Sequence, residues 1–220
     1  MRMDFLTLFP NLCETFLNES IIGRARKKGL IEFHCHQIRD YAEDKQKRVD
    51  DTPYGGGKGM LMIAQPIAAC FEAICSKIKK KPFFIYMSPK GKIFNQEAAK
   101  ALCSHTNIAI LCGRYEGVDQ RVIDTMIDEE ISIGNYVVTG GELPGLIVAD
   151  SITRLLPGVL SDEICFKDES HFDGYFEYPQ YTKPAVWRGK SVPEVLLSGH
   201  HANILKWKNE MKKKVKGDVL

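Results

Sequence analysis

The chain has 220 residues, 44% hydrophobic and 26% charged, with 30 Lys and Arg against 28 Asp and Glu for a formal net charge of +2. That length buries a sizeable core, the composition is that of a soluble globular protein, and so small a net charge is no argument for nucleic acid by itself. No apolar run approaches the roughly 18 residues of a membrane span. Seven scattered cysteines without a CxxC pair suit a reducing compartment rather than a disulfide framework or a zinc ribbon. Residues 1–30 lack the apolar stretch of a signal peptide, so a cytoplasmic protein is expected.

Residues 3–9 (MDFLTLF) read as a β-rich apolar run ended by Pro10, and 12–17 as a short helix. RARKK at 24–28 is a local basic cluster. Residues 31–36 (IEFHCH) alternate as a strand, with Glu32, His34 and His36 on one face. Three ligands in a row on one strand lie too far apart to close on one ion, so a polar strand face is the expected reading.

Residues 39–60, ending DDTPYGGGKGM, have balanced charge and no apolar period. A connection of that length is disordered or functional. GGGKG is not a phosphate-binding P-loop, because Ser or Thr does not follow the Lys. Residues 66–78 have helical spacing, with Ile67, Phe71, Ile74 and Ile78 on one side. FFIYM at 83–87 reads as a buried strand turned by Ser88-Pro89-Lys90-Gly91, then come a helix at 96–102 and a second buried strand at 108–111. Apolar strands alternating with helices predict a mostly parallel α/β sheet with flanking helices. A dinucleotide-binding GxGxxG after the first strand, with an acidic residue about 20 positions on, is missing, which argues against a Rossmann-type methyltransferase.

Residues 111–146 carry two turn-rich segments, each after a short β-prone run: 112–117 (CGRYEG) and 134–144 (GNYVVTGGELP). Strand ends in an open α/β sheet are where ligands bind. Gly113, Gly117, Gly134, Gly140 and Gly141 would let a ligand approach the main chain; Tyr115 and Tyr136 offer flat walls; Glu116 and Glu142 offer acceptors. The spacing alone indicates a pocket for a small, partly flat ligand and does not name it. Residues 143–156 read as a helix with Pro144 in its first turn and Arg154 in an apolar context. Residues 160–183 lack a period and read as an interdomain linker, within which Asp168, Glu169, His171 and Asp173 cluster. From Pro184 a small helical domain is expected, where SGHHANILKWKNEMKKK combines His200, His201 and Trp207 with lysines able to meet phosphates and stacked bases.

GRYEGVDQR, SIGNYVVTGGELP, the arginine of SITRLLPGVL and EYPQYTKP closely resemble the bacterial tRNA (guanine-N1)-methyltransferases of the knotted SPOUT class. The resemblance runs from about residue 1 to about residue 207. It implies a trefoil-knotted, S-adenosylmethionine-binding α/β domain over 1–159, a linker over 160–183 and a small helical RNA-binding domain over 184–220. It implies methyl transfer from S-adenosyl-L-methionine to N1 of guanosine 37, next to the tRNA anticodon.

By the same resemblance the cofactor is held by Tyr86, Ser88 and Pro89, by Gly113, Tyr115, Glu116 and Gly117, and by Ser132, Ile133, Gly134, Asn135, Tyr136, Val137, Val138, Gly140, Gly141 and Pro144. Asp50, Tyr54, Lys58, His200 and Lys206 become RNA contacts. Arg154 and Glu169 take the catalytic positions, Glu169 standing where the family commonly has Asp; with Asp168 directly before it, which of the two carboxylates accepts the proton stays open. A homodimer with active sites at the subunit interface is implied, as is Mg2+, for which no separate ligand motif is present. Two other readings remain at this point: the same fold acting on a ribose 2′-hydroxyl or another RNA, and a non-catalytic RNA-binding protein.

Overall fold

The structure is a computed structural model that describes residues 1–160, 169–172 and 174–214. It divides into two compact units, Met1–Ser161 and Asp162–Val219. The first contains a five-stranded, all-parallel sheet in the order β2-β1-β6-β5-β7. Its strands are β1 (Arg2–Thr7), β2 (Glu32–Gln37), β5 (Phe83–Ile93), β6 (Asn107–Cys112) and β7 (Glu129–Ser132). The remaining strands of this unit, β3 (Asp50–Asp51) and β4 (Leu61–Met62), pair as a small antiparallel ribbon. The parallel α/β architecture with flanking helices matches the expectation from the apolar strands.

Alternation along the strands divides the core in two. On one face Met3, Phe5, Phe33, Ile85, Ile108 and Ile110 pack under α1 (Pro10–Leu17), α2 (Ser20–Lys27), α4 (Gln96–Leu102) and α6 (Glu142–Thr153). On the other, Leu6, Phe84, Tyr86, Ala109 and Leu111 pack under α3 (Ala64–Ile78) and α5 (Gln120–Met126), with Phe71 and Phe84 stacked 4.0 Å apart. Such an aromatic pair adds about 1 kcal/mol beyond its area burial. Ile67, Phe71 and Ile74 are buried as their spacing predicts, and Asn95 caps α4 by accepting from the Ala98 N–H at 2.9 Å.

Two local readings change. Pro10 opens α1 at its first turn, where a missing N–H costs nothing, rather than merely ending the strand before it. Ser88-Pro89-Lys90-Gly91 does not end β5: the strand continues to Ile93 past a register shift between Met87 and Lys92, so the turn-like residues lie at an irregularity in an edge pairing with β7. The basic cluster at 24–28 lies mostly within α2, with Ile22 and Ala25 buried and Arg24 and Lys27 exposed.

The second unit, described by itself, holds four short strand pieces besides helix among the described residues. Tyr175–Phe176 pairs with Lys213–Lys214, and Val186–Trp187 pairs with Lys190–Ser191 as a hairpin. A helical turn at Glu194–Leu197 and a helix at His201–Met211 complete the described part. Helix in the described part is thus confined to Glu194–Leu197 and His201–Met211, and the remainder includes ribbon. No helix among the described residues is long and apolar enough to cross a membrane.

The polar face of β2 has its own explanation. Asp4, fully buried on neighbouring β1, accepts from Arg2 Nε and NH2 at 2.7 Å each and contacts His36 Nε2 at 2.7 Å. His34 Nε2 lies 3.5 Å from Glu32 Oε2, and burial pushes the His34 imidazole down in pKa. Burial raises the Asp4 pKa, but the bonds from Arg2 and His36 outweigh it and hold the carboxyl below its ordinary 3.8. A depressed carboxylate contributes stability above its unfolded pKa and loses it as the pH falls through the folded one. Asp4→Ala is expected to destabilise the fold by about 3 kcal/mol at neutral pH, since it leaves the largely enclosed Arg2 guanidinium without its counter-charge and His36 Nε2 without its partner. Denaturant unfolding checks this, and the difference between wild type and variant should shrink as the pH is lowered below 3.8.

Candidate functional site

The carboxyl ends of β6 and β7 meet the irregular middle of β5, residues 86–89, in one pocket, at the edge where an open α/β sheet presents its ligand site. Of the residues expected there, Tyr86, Ser88, Pro89, Gly113, Tyr115, Glu116, Gly117, Ser132, Ile133, Tyr136, Val137, Val138, Gly140, Gly141 and Pro144 line it. Gly134 and Asn135 do not; they form the bend just beyond β7. Met87, Arg114, Ile131 and Thr139 also line it and were not singled out from sequence.

Two loops make the walls. The loop at 113–117 leaves β6 with Tyr115 at φ 61°, a left-handed conformation that a non-glycine side chain adopts at a cost of order 1 kcal/mol. The result keeps the Tyr115 ring half exposed at the rim. This loop is also sewn to the β3–β4 ribbon: Met62 N–H donates to the Gly117 carbonyl at 2.9 Å and Glu116 N–H donates to the Met60 carbonyl at 3.0 Å. The loop at 134–141 leaves β7 through a bend closed by Ser132, whose Oγ donates to the Gly134 carbonyl at 3.0 Å. The Tyr136 ring folds back over Gly134.

The two loops touch through main chain. Gly141 N–H donates to the Gly113 carbonyl at 2.9 Å, and a Cβ on Gly141 would lie 2.7 Å from Cys112 Cα and 2.8 Å from Gly113 N. No larger residue fits without parting the loops. The floor is Tyr86, whose phenol burial, and secondarily the Glu130 carboxylate, push up to about 12, so it remains a neutral hydrogen-bond donor.

Arg154 sits at the carboxyl end of α6, the helix that starts beside the pocket at Glu142, and its N–H donates to the Asp150 carbonyl at 3.1 Å. Asp50 lies in β3, while Tyr54 and Lys58 stand exposed on the connection to β4. That connection returns to the pocket at Gly59, where a Cβ would fall 2.4 Å from the Glu116 side chain. In the second unit Glu169 accepts through its carbonyl from Phe172 N–H at 3.3 Å. His200 immediately precedes the helix His201–Met211 and Lys206 is exposed on it, 3.9 Å from Glu210. On that unit Trp207 meets the Tyr178 and Tyr181 rings at 6.4 and 6.5 Å, and Lys208 Nζ stands 4.7 Å over Tyr178. Asp168 and Asp173 lie outside the described residues.

The family described as tRNA (Guanine-1)-methyltransferase TrmD matches residues 1–217. The chain belongs to this family. It is 57% identical over 208 residues to a tRNA (guanine-N(1)-)-methyltransferase of Ruminiclostridium cellulolyticum, covering 94% of this chain and 89% of that one. A tRNA (guanine-N(1)-)-methyltransferase of Clostridioides difficile is 50% identical over 211 residues, 96% of this chain and 91% of that one. Among solved structures, a tRNA (m1G37) methyltransferase from Aquifex aeolicus superposes with a TM-score of 0.80 at 39% identity, over 94% of this chain and 87% of that one.

Within this methyltransferase family member, the loop contact at Gly141 is a steric condition set by backbone atoms, which cannot swing aside as a side chain can. Gly141→Ala is expected to lower stability by about 1–3 kcal/mol, the ordinary range for a group forced into packed space. Thermal unfolding of the purified variant reads this directly.

Proposed function

We propose that the protein transfers a methyl group from S-adenosyl-L-methionine to N1 of guanosine 37 of tRNA. The family match over residues 1–217 carries this reading, and the pocket's location and chemistry agree with it. Bare main chain at Gly113, Gly140 and Gly141, the apolar side chains of Ile133, Val137 and Val138, and the Tyr86 floor suit an adenosine, while Glu116 suits an ammonium. Bound there, the cofactor supplies an electrophilic methyl group on sulfur.

The chain's own residues then have two tasks. Guanine N1 carries a proton and attacks only as that proton leaves, so a carboxylate must receive it. Glu169 is the acceptor this reading assigns, with Asp168 the alternative. Negative charge developing on O6 as the proton departs is stabilised by the Arg154 guanidinium. With S-adenosylmethionine bound, the N1–carbon bond would form as the carbon–sulfur bond of the donor broke. Holding the two reactants in line is the larger part of the work, worth roughly 7–11 kcal/mol in well-oriented systems.

Asp50, Tyr54, Lys58, His200 and Lys206 are proposed as tRNA contacts, Tyr54 by stacking and the lysines through phosphate. A homodimer, with the linker and second unit of one subunit completing the pocket of the other, follows the family resemblance. Phe9, Leu12 and Phe16 at α1 together with Leu143 and Ile147 on α6 give it an exposed apolar face. The knotted path and the small helical RNA-binding domain belong to the same reading. Six described cysteines are free thiols, in keeping with a cytoplasmic setting. Among the described residues no three His, Cys, Asp or Glu side chains converge as a metal centre, so no step is derived through magnesium.

Purified protein incubated with methyl-labelled S-adenosylmethionine is expected to label an unmodified tRNA transcript with G at position 37 and not its A37 counterpart. Label recovered on a ribose, or on both transcripts, would overturn the base assignment. Glu169→Ala should abolish turnover with cofactor binding retained; loss of binding as well would place Glu169 in the pocket rather than at the proton. Arg154→Ala should lower kcat by about 10²–10³ as a missing anion-stabilising donor does.

A further inference from the structure

The mechanism above leaves a buried carboxylate beside the pocket unused. Glu142 is only 1% exposed, at the first position of α6, where the helix dipole favours a negative charge. Thr7, fully buried at the end of β1, donates its hydroxyl to Glu142 Oε1 at 2.7 Å. Glu142 Oε2 lies 2.9 Å from Arg114 NH2. Neither Oε2 nor Arg114 Nε has a hydrogen-bond partner among the described residues, so charge rather than a directed bond joins the pair.

Arg114 carries that charge across the pocket wall. It belongs to the loop leaving β6, yet its NH1 donates to the Thr139 carbonyl in the loop leaving β7, at 3.2 Å. Its guanidinium lies 4.4 Å over the Phe9 ring and against Gly140, whose absent Cβ would sit 2.3 Å from Nε. A buried carboxylate costs several kcal/mol unless paired, and here its pair is the side chain that spans both loops.

We infer that Glu142 is a positioning residue for the methyl donor: through Arg114 it clamps the two pocket loops at the spacing that the adenosine of the cofactor requires, with Thr7 fixing the carboxylate from behind. The inference rests on the cofactor reading given under Proposed function. Glu142 itself touches neither reactant in this scheme. Glu142→Gln keeps the size of the side chain and an acceptor for Thr7 but leaves Arg114 without its counter-charge. Thr7→Val, outside the pocket, removes the bond that orients the carboxylate.

The test titrates S-adenosylmethionine, and separately an unmodified tRNA transcript, into the full-length wild type and both variants by calorimetry, with initial rates measured beside them. Glu142→Gln is expected to weaken cofactor binding roughly tenfold or more, as small misplacements of binding groups do, with tRNA affinity unchanged. The KM for the cofactor should rise accordingly while kcat at saturating cofactor is kept. Thr7→Val should shift the same quantities in the same direction by less. Equal losses for cofactor and tRNA would reduce Glu142 to a support of the fold and overturn the inference, as would cofactor binding as tight as wild type. If Glu142→Gln does not fold, Thr7→Val decides, and unchanged cofactor affinity in it overturns the inference. Wild type that fails to bind S-adenosylmethionine would instead sink the cofactor reading, and this inference with it.

Discussion

A main-chain contact, Gly141 N–H on the Gly113 carbonyl, governs the geometry of the functional half of the first unit. It joins the end of β6 to the start of α6 with no room for a Cβ between them. Every wall of the pocket is defined relative to that junction: the loop at 113–117 on one side, the loop at 134–141 on the other, and Tyr86 beneath. The same junction sets where α6 begins, and therefore where its far end delivers Arg154, about three turns along a rigid rod. Backbone-to-backbone contact is stiffer than any side-chain contact, which suits a site whose task is alignment.

The parallel sheet was legible because strands buried on both faces must be apolar throughout, and 83–87 and 108–111 are. The pocket's two loops were legible for a related reason, since glycine and turn residues directly after such strands have few structural alternatives. What was hidden came from pairings distant in sequence. Nothing near Glu142 says that Thr7, 135 residues earlier, will meet it, so an acidic residue read as an open acceptor is in fact enclosed. The passage of β5 through Ser88-Pro89-Lys90-Gly91 was hidden too, because turn chemistry dominates locally while β7 supplies the pairing that overrides it. Arg154 was noticed for its apolar context but its role, like that of Glu169, came from the family resemblance and not from any spacing.

The two units differ in how their residues are used. In the first, nearly every notable polar side chain is held by a partner with a fixed position, as Ser132, Glu142 and Asp4 are. In the described part of the second, tyrosines, tryptophans and lysines sit near the surface in loose ring contacts, an arrangement that yields to a flexible polyanion. Under the function proposed above, a fixed pocket for the methyl donor and an adaptable surface for an RNA loop place opposite demands on rigidity.

The polar face of β2 has an effect beyond the Asp4 ion pairs. β2 closes one side of the five-stranded sheet, so its outer row of N–H and C=O groups has no strand beside it among the described residues. A bare row of that kind invites a strand from another chain to add on. Glu32, His34 and His36, three polar side chains in a six-residue strand, make such an addition bury groups that want water or a counter-charge. The histidines that resemble a metal motif in one dimension thus help keep the sheet from growing, a role that depends on where the strand lies in the sheet and on nothing that a ligand count could detect.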